Sequence, residues 1–351
     1  MNRSRRKVAR VAAAWAVAGY VACTVAALAA IEVIRPELRD EEYGRRLTAL
    51  RSRIAEHPGR PLVVVIGSSR AAMDVCPRVW EETRPGNPDE PLIFNMSRVG
   101  GGPLLNLMTL RRLYADGIRP AAVLLEYWPP LLHQEGPFRE ADRIDPDRLA
   151  RCDRSFVREY LHDADRIEWE MLEARLNPIF SQRTTWLRAA VPRWLPRASR
   201  FDPAVKPLDG WGWLPGMDRP ALAWEPRERR LAACERIYRP HLAGWRVSPE
   251  ADRATREAIA MARNNGATAA LVFFPESEEF RSWYSPEVAE SQDRYRESLQ
   301  RELAVQVLDT RTWLSNDRLA DGFHATRAGA EEFTRRFAPA VVSIFANSRC
   351  R

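Results

Sequence analysis

From Val11 to Ile31 the chain runs 21 residues without a charge, and Arg3, Arg5, Arg6, Lys7 and Arg10 crowd immediately before it. At 1.5 Å per residue, a helix of that length crosses a hydrocarbon core of about 30 Å. Basic residues ahead of a span hold that end in the cytoplasm. The pattern therefore predicts a cytoplasmic tail at 1–10, a single-pass anchor at 11–31 in the inner (cytoplasmic) membrane, and a bulk that faces the periplasm. A cleaved signal peptide is the competing reading, but its apolar stretch is shorter, roughly 7–15 residues.

Past the anchor the hydrophobic pattern changes period. Residues 37–57 are charged, with Leu47, Leu50 and Ile54 at helical spacing, which predicts a stalk helix within a linker at 32–60. Leu62–Ile66 (LVVVI) is a continuous β-branched run ended by Gly67, the signature of a strand buried on both faces. Leu92–Phe94, Ala121–Leu125, Thr268–Phe274 and Val305–Leu308 repeat it. A helix is expected over Leu104–Tyr114, closed by Gly117 and Pro120, and two more at 250–264 and 288–303. Strands alternating with helices predict an α/β fold, a three-layer αβα domain with a central parallel sheet, split between 61–130 and 250–346. The interval 131–249 breaks the rhythm. It reads as an insertion or cap, helical at 153–175 and 226–238 and irregular at 203–224. Seven of the twelve Trp lie in it: Trp169, Trp186, Trp194, Trp211, Trp213, Trp224 and Trp245. Two readings of these rings stay open, stacking on sugars or packing the insert onto the sheet.

The formal charge of +7 suggests nucleic acid until it is located. Five of those charges precede the anchor, leaving 7 − 5 = +2 downstream, and no basic stripe with interleaved aromatics occurs. Nucleic acid is excluded as an expected partner. Of five Cys, Cys23 lies in the span; Cys76, Cys152, Cys234 and Cys350 allow three pairings, and nothing chooses among them. No His/Cys cluster has zinc-ligand spacing, so neither a metal nor a cofactor is expected.

Three segments carry candidate chemistry. Gly67-Ser68-Ser69-Arg70 follows the first strand, where a glycine permits a sharp turn and a serine meets the start of a helix. Backbone N–H groups there favour developing negative charge, as a nucleophilic Ser requires. Asp321-Gly322-Phe323-His324 follows the last strand; an Asp three residues before a His can orient the imidazole as general base. Asn95 through Gly102, after the second strand, ends in three glycines and brings a Gly100 N–H to a possible oxyanion site beside that of Ser69. Asn95, Arg70, Glu276 and Arg281 are candidates for contacting substrate.

In this order the three segments resemble the SGNH (GDSL-type) hydrolase superfamily. Gly67-Ser68-Ser69 matches the first block, with Ser68 where Asp is usual; Asn95 through Gly100 matches the second; Asp321 and His324 match the fifth. The resemblance covers about 61–130 and 250–346 and is nearest to membrane-anchored envelope members of the teichoic acid D-alanyl-transfer and alginate O-acetylation kind. It implies a flavodoxin-like sheet, Ser69 as nucleophile, His324 as base, Asp321 as its partner, and an envelope polysaccharide and a membrane acyltransferase as partners. One departure stands out. The third block supplies an oxyanion Asn, and here the third strand runs into Glu126-Tyr127-Trp128-Pro129-Pro130 instead. A serine acyl hydrolase or O-acyltransferase is the leading expectation. A non-catalytic relative that binds glycan or a partner is the rival, and a secreted lipase is a third reading.

Overall fold

A computed structural model describes residues 3–83, 90–133, 140–200, 208–216 and 226–349. Five apolar runs form one sheet: β1 Leu62–Ile66, β2 Leu92–Asn95, β3 Ala122–Glu126, β4 Thr268–Phe273 and β5 Gln306–Asp309. All pairings are parallel, in the order β2-β1-β3-β4-β5. Successive side chains of a strand point to opposite faces. Val63, Val65, Ile93, Ala122, Leu124, Ala270 and Val272 accordingly share one core with Phe333, Phe337 and Val341 of the helix Arg327–Arg349. Residues of the alternate register, such as Val64 and Phe94, are equally buried on the face covered by the helices Pro103–Ala115 and Pro249–Asn264. The second of these buries Ala251, Ala254, Ala258, Ile259 and Ala262 in a stripe spaced by threes and fours, and the Ser248 side chain caps its start. The three-layer αβα architecture with a parallel sheet is thus present.

The order reverses at β1: the chain leaves β1 for β2 on one side and later fills β3, β4 and β5 on the other. Loops after β1 and its neighbours diverge there and open a crevice at the carboxyl edge, where open α/β sheets place their sites.

Two compact units divide the chain, one of residues 45–143 and 203–351, the other of residues 1–44 and 144–202. The segment 131–249 is therefore shared out: 131–143 and 203–249 go with the sheet, 144–202 with the amino-terminal helix. In that second unit the helix expected over 153–175 is two, Arg154–Tyr160 and Ala164–Leu176. His162 and Asp163, weak helix formers, sit at the break. Near the amino terminus the helix Arg3–Ala29 continues as a π-helical turn, Ala30–Ile34. Among the described residues it is the one helix long and apolar enough to cross a membrane, and most of its surface is exposed. Cys23, Cys76 and Cys234 are free thiols; Cys350 and Trp224 lie outside the described residues.

Candidate active site

Ser69 is the first residue of a short helix, Ser69–Asp74, that starts two residues after β1. Gly67 makes the turn because a Cβ there would run into the side chains of Glu126 and Ala71. The Ser68 hydroxyl accepts from the Arg70 amide at 3.1 Å and starts the helix, whose first N–H groups have no acceptor within it. Ser69 Oγ lies 2.8 Å from His324 Nε2. On the far side of the imidazole, His324 Nδ1 lies 2.7 Å from Asp321 Oδ2. Asp321 Oδ1 accepts in addition from the His324 amide at 3.0 Å, and Gly322 between them has a φ of +103° that closes the loop. An acceptor at Nδ1 fixes the proton there and leaves Nε2 to receive the serine proton.

Burial alone would raise the Asp321 pKa, but the charge and hydrogen bonds of His324 outweigh it and hold the carboxyl below its ordinary value. For His324 the balance is reversed. Burial pulls its pKa down, and the Asp321 charge, with a contribution from Asp74, lifts it above the ordinary imidazole value. Asp74 is a residue that sequence reasoning missed. It closes the helix that begins at Ser69, and its Oδ1 accepts from the Ala325 amide at 2.8 Å, so that helix is tied to the loop carrying His324. Complete burial raises its pKa to about 7. The only trace in the sequence is an acid five residues after the serine, which no motif marks.

The glycine loop packs against the same turn. Arg98 N donates to Gly67 O at 2.8 Å, and Gly101 lies so close to that carbonyl that a Cβ would collide with it. Gly100 has a φ of +75°, and the Arg143 guanidinium occupies the place its Cβ would take. Glu140 was likewise unforeseen. Its carboxylate accepts from the amides of Gly102 (2.7 Å), Leu104 (2.9 Å) and Leu105 (2.6 Å), capping the helix Pro103–Ala115 and fixing the end of the loop. Burial raises the Glu140 pKa to about 7 against the pull of those three amides.

Of the four residues expected to contact substrate, three are buried among protein partners and Arg281 is partly buried. Arg70 is buried; its Nη2 donates to the carbonyls of Phe274 (2.8 Å) and Pro275 (3.2 Å) and pairs with Glu276 at 3.4 Å, while Nη1 lies 3.8 Å from Glu126. Its guanidinium stacks 4.6 Å above the Trp128 ring. Glu276 is equally buried and accepts from Tyr284 Oη at 3.2 Å. Arg281 donates to the carbonyls of Glu276 and Arg311. Asn95 is wholly enclosed, donating to Ala71 O (2.8 Å) and Val75 O (2.9 Å) and accepting from Ser97 N (3.0 Å). Arg70, Glu276 and Asn95 share one reason: polar groups taken out of water need partners, and these make theirs within the protein at the sheet edge, while Arg281 is only partly buried.

The segment in place of the third-block Asn is part of that brace. Glu126 accepts from the Ser68 amide, and burial raises its pKa against the opposing charge of Arg70. Tyr127 packs on Phe273, and Trp128 on Arg70, Tyr238 and Phe323. Above them the helix Arg227–Leu242 lays Leu231, Cys234, Tyr238 and Leu242 against Trp128, Phe280 and Phe323, the neighbour of His324. Arg230 Nε donates to Ala320 O at 2.9 Å and Arg227 Nε to Leu319 O at 3.0 Å, pinning this cover to the His324 loop. Trp211, Trp213 and Trp245 are buried, and the indoles of Trp213 and Trp245 donate to Met73 O and Pro129 O. For these rings packing is the correct reading.

No protein-family model and no curated protein matches the chain. Ten solved chains match this one in the comparison of structures. One of them, a crystal structure from Bacteroides fragilis described as a "putative acylhydrolase", is 11% identical over 86% of this chain and 98% of its own, with a TM-score of 0.37.

Proposed function

We propose that this chain is a membrane-anchored, extracytoplasmic serine acyl hydrolase or O-acyltransferase of SGNH type, acting on acyl esters of an envelope glycan. One observation carries the reading: Ser69 Oγ, His324 Nε2, His324 Nδ1 and Asp321 Oδ2 form a continuous chain of contacts at 2.8 and 2.7 Å, at the carboxyl edge of a parallel sheet. Ser69 Oγ attacks the ester carbonyl carbon as its proton passes to Nε2. The Ser69 and Gly100 amides receive the charge on the carbonyl oxygen. The ester C–O bond then breaks, and the proton on Nε2 goes to the departing alcohol oxygen. Water or a second sugar hydroxyl attacks the acyl-serine, gives up its proton to Nε2, and releases the carboxylic acid or the new ester with Ser69 restored. Both routes share the acyl-serine, so one geometry serves hydrolysis and transfer. The helix Arg3–Ala29, with basic residues before it, supports placement of this chemistry outside the inner membrane, near envelope polysaccharide and a membrane acyltransferase.

A non-catalytic reading is favoured by one feature, the absence of the third-block Asn; loss of one oxyanion donor costs about 10²–10³ in rate. Release of p-nitrophenol from p-nitrophenyl acetate separates the two. Catalysis predicts turnover by the full chain in detergent that Ser69→Ala and His324→Ala each abolish. Turnover equal to those variants, or none, would favour the non-catalytic reading.

A further inference from the structure

The unit of residues 1–44 and 144–202 exposes apolar surface that does not belong to the span. On the helix Ala164–Leu176, Ile167 and Met171 face inward, as one stripe suffices to pack a helix. A second stripe, Trp169, Leu172 and Leu176 at positions i, i+3 and i+7, faces outward. Ile179 and Phe180, in the following helical turn Pro178–Ser181, extend it, and these five side chains keep 44–61% of their surface exposed. Leaving each in water forgoes roughly 1–2 kcal/mol of transfer free energy. Asp163, Asp165, Arg166, Glu168 and Glu170 lie at its start and middle, and Glu173 and Arg175 accompany the apolar residues at its end.

Contacts of that apolar end point to what covers it. Tyr20, near the middle of the uncharged stretch, donates its hydroxyl to Leu176 O at 3.0 Å. Leu176 ends its helix, so its carbonyl has no acceptor role left within that helix, and hydrocarbon offers it no donor. Arg175 instead turns toward Glu32, the first charge after the stretch, its Nε 3.6 Å from Glu32 Oε1. Tyr20 precedes Glu32 by 32 − 20 = 12 residues, about 18 Å of helix. The Leu176 carbonyl is thus satisfied by a residue of the uncharged stretch, and the Arg175 guanidinium beside it also donates to Met171 O (2.8 Å) and Leu149 O (3.2 Å). Arg183 lies over one face of the Phe180 ring, its guanidinium 4.2 Å away, and donates to Phe180 O at 2.8 Å. At the upper level, Trp169 Nε1 donates to Glu173 Oε1 at 2.9 Å, an amphipathic ring paired as at a headgroup boundary.

We infer that the corner formed by Leu176, Ile179 and Phe180, with Leu172 and Trp169 above it, enters the outer leaflet of the bilayer beside the amino-terminal helix. The unit is then held by two elements, one spanning and one dipping, which fixes its rotation about the span as a single helix does not. The inference rests on the reading of Arg3–Ala29 as a membrane helix. Its occupant is lipid; a second copy or another protein on this face would contradict it.

The test uses the full chain reconstituted in vesicles of three parts phosphatidylcholine to one part phosphatidylglycerol. Photoreactive p-benzoylphenylalanine replaces Phe180, Ile179, Trp15 or Arg166 in separate samples, all exposed positions, so folding is retained. Illumination followed by mass spectrometry is expected to give lipid adducts at Phe180, Ile179 and Trp15 and at least tenfold fewer at Arg166, on the polar start of the same helix. Adducts at Trp15 without adducts at Phe180 and Ile179 would overturn the inference and leave the anchor standing. Protein–protein adducts at Phe180 would overturn it in favour of a protein partner. Absence of adducts at Trp15 would remove the anchor, and the inference with it.

Discussion

His324 is raised above the ordinary imidazole pKa by Asp321, and with Asp321 held below its own ordinary value the two form a charged pair at acid pH. A protonated imidazole cannot accept the Ser69 proton. Ester turnover should therefore rise with pH through a midpoint above the usual imidazole value of 6.5, set by deprotonation of His324. Asp321→Asn should lower that midpoint and the plateau together, since it removes both the charge and the acceptor that fixes the Nδ1 proton. A pH–rate profile unchanged by Asp321→Asn would separate this carboxylate from the chemistry. At this scale the sequence was informative where the chemistry is local: Asp321 and His324 share one tight loop, and a spacing of three residues reveals them. It was misleading where polarity alone was the guide. Arg70, Glu276 and Asn95 look like ligands in a row of letters, but their role depends on burial, and burial is decided by elements more than 200 residues away from Arg70.

Between elements, the joints matter more than the elements themselves. Strands were legible because a sheet covered on both faces needs unbroken apolar runs, and LVVVI or TAALVF leaves no other use for them. The joints use polar groups that no periodicity announces: Asp74 to the Ala325 amide, Glu140 across the amides of Gly102, Leu104 and Leu105 at the start of the Pro103–Ala115 helix, Glu126 to the Ser68 amide. Asp74 has a pKa near 7 in the folded protein and an ordinary value of 3.8. Between those values the folded chain keeps a proton that the unfolded chain has lost. Stability from this group is therefore complete at low pH and declines as pH climbs from about 4 to about 7, by a few kcal/mol in order of magnitude. Asp74→Asn keeps an oxygen for Ala325 N and has no proton to lose. Urea unfolding at pH 4.5 and 7.5 should show a smaller loss in Asp74→Asn than in the parent chain; an equal loss would mean that Asp74 is not held neutral.

For the molecule as a whole, the uncharged stretch announced a helix long and apolar enough to cross a membrane, and the alternation announced the sheet, but the division of 131–249 between two units was not readable. Helical spacing and Trp content look alike in a segment that covers a sheet edge and in one that accompanies the amino-terminal helix. The outward stripe of Trp169, Leu172 and Leu176 differs from a core stripe only in what lies opposite. The two units thus differ in what they hold, one a partly exposed Ser69 aligned on the buried His324 and Asp321, the other exposed apolar surface. The central claim is that Ser69 is a nucleophile made reactive by His324. A fluorophosphonate carrying a fluorophore reports that directly, because it phosphonylates a serine only when a base takes the proton and the fluoride departs. The account predicts labelling of the full chain at one site, located by mass spectrometry at Ser69, absent in Ser69→Ala and reduced by at least a hundredfold in rate in His324→Ala. Labelling that persists in Ser69→Ala, or a parent chain that labels no faster than His324→Ala, would contradict it.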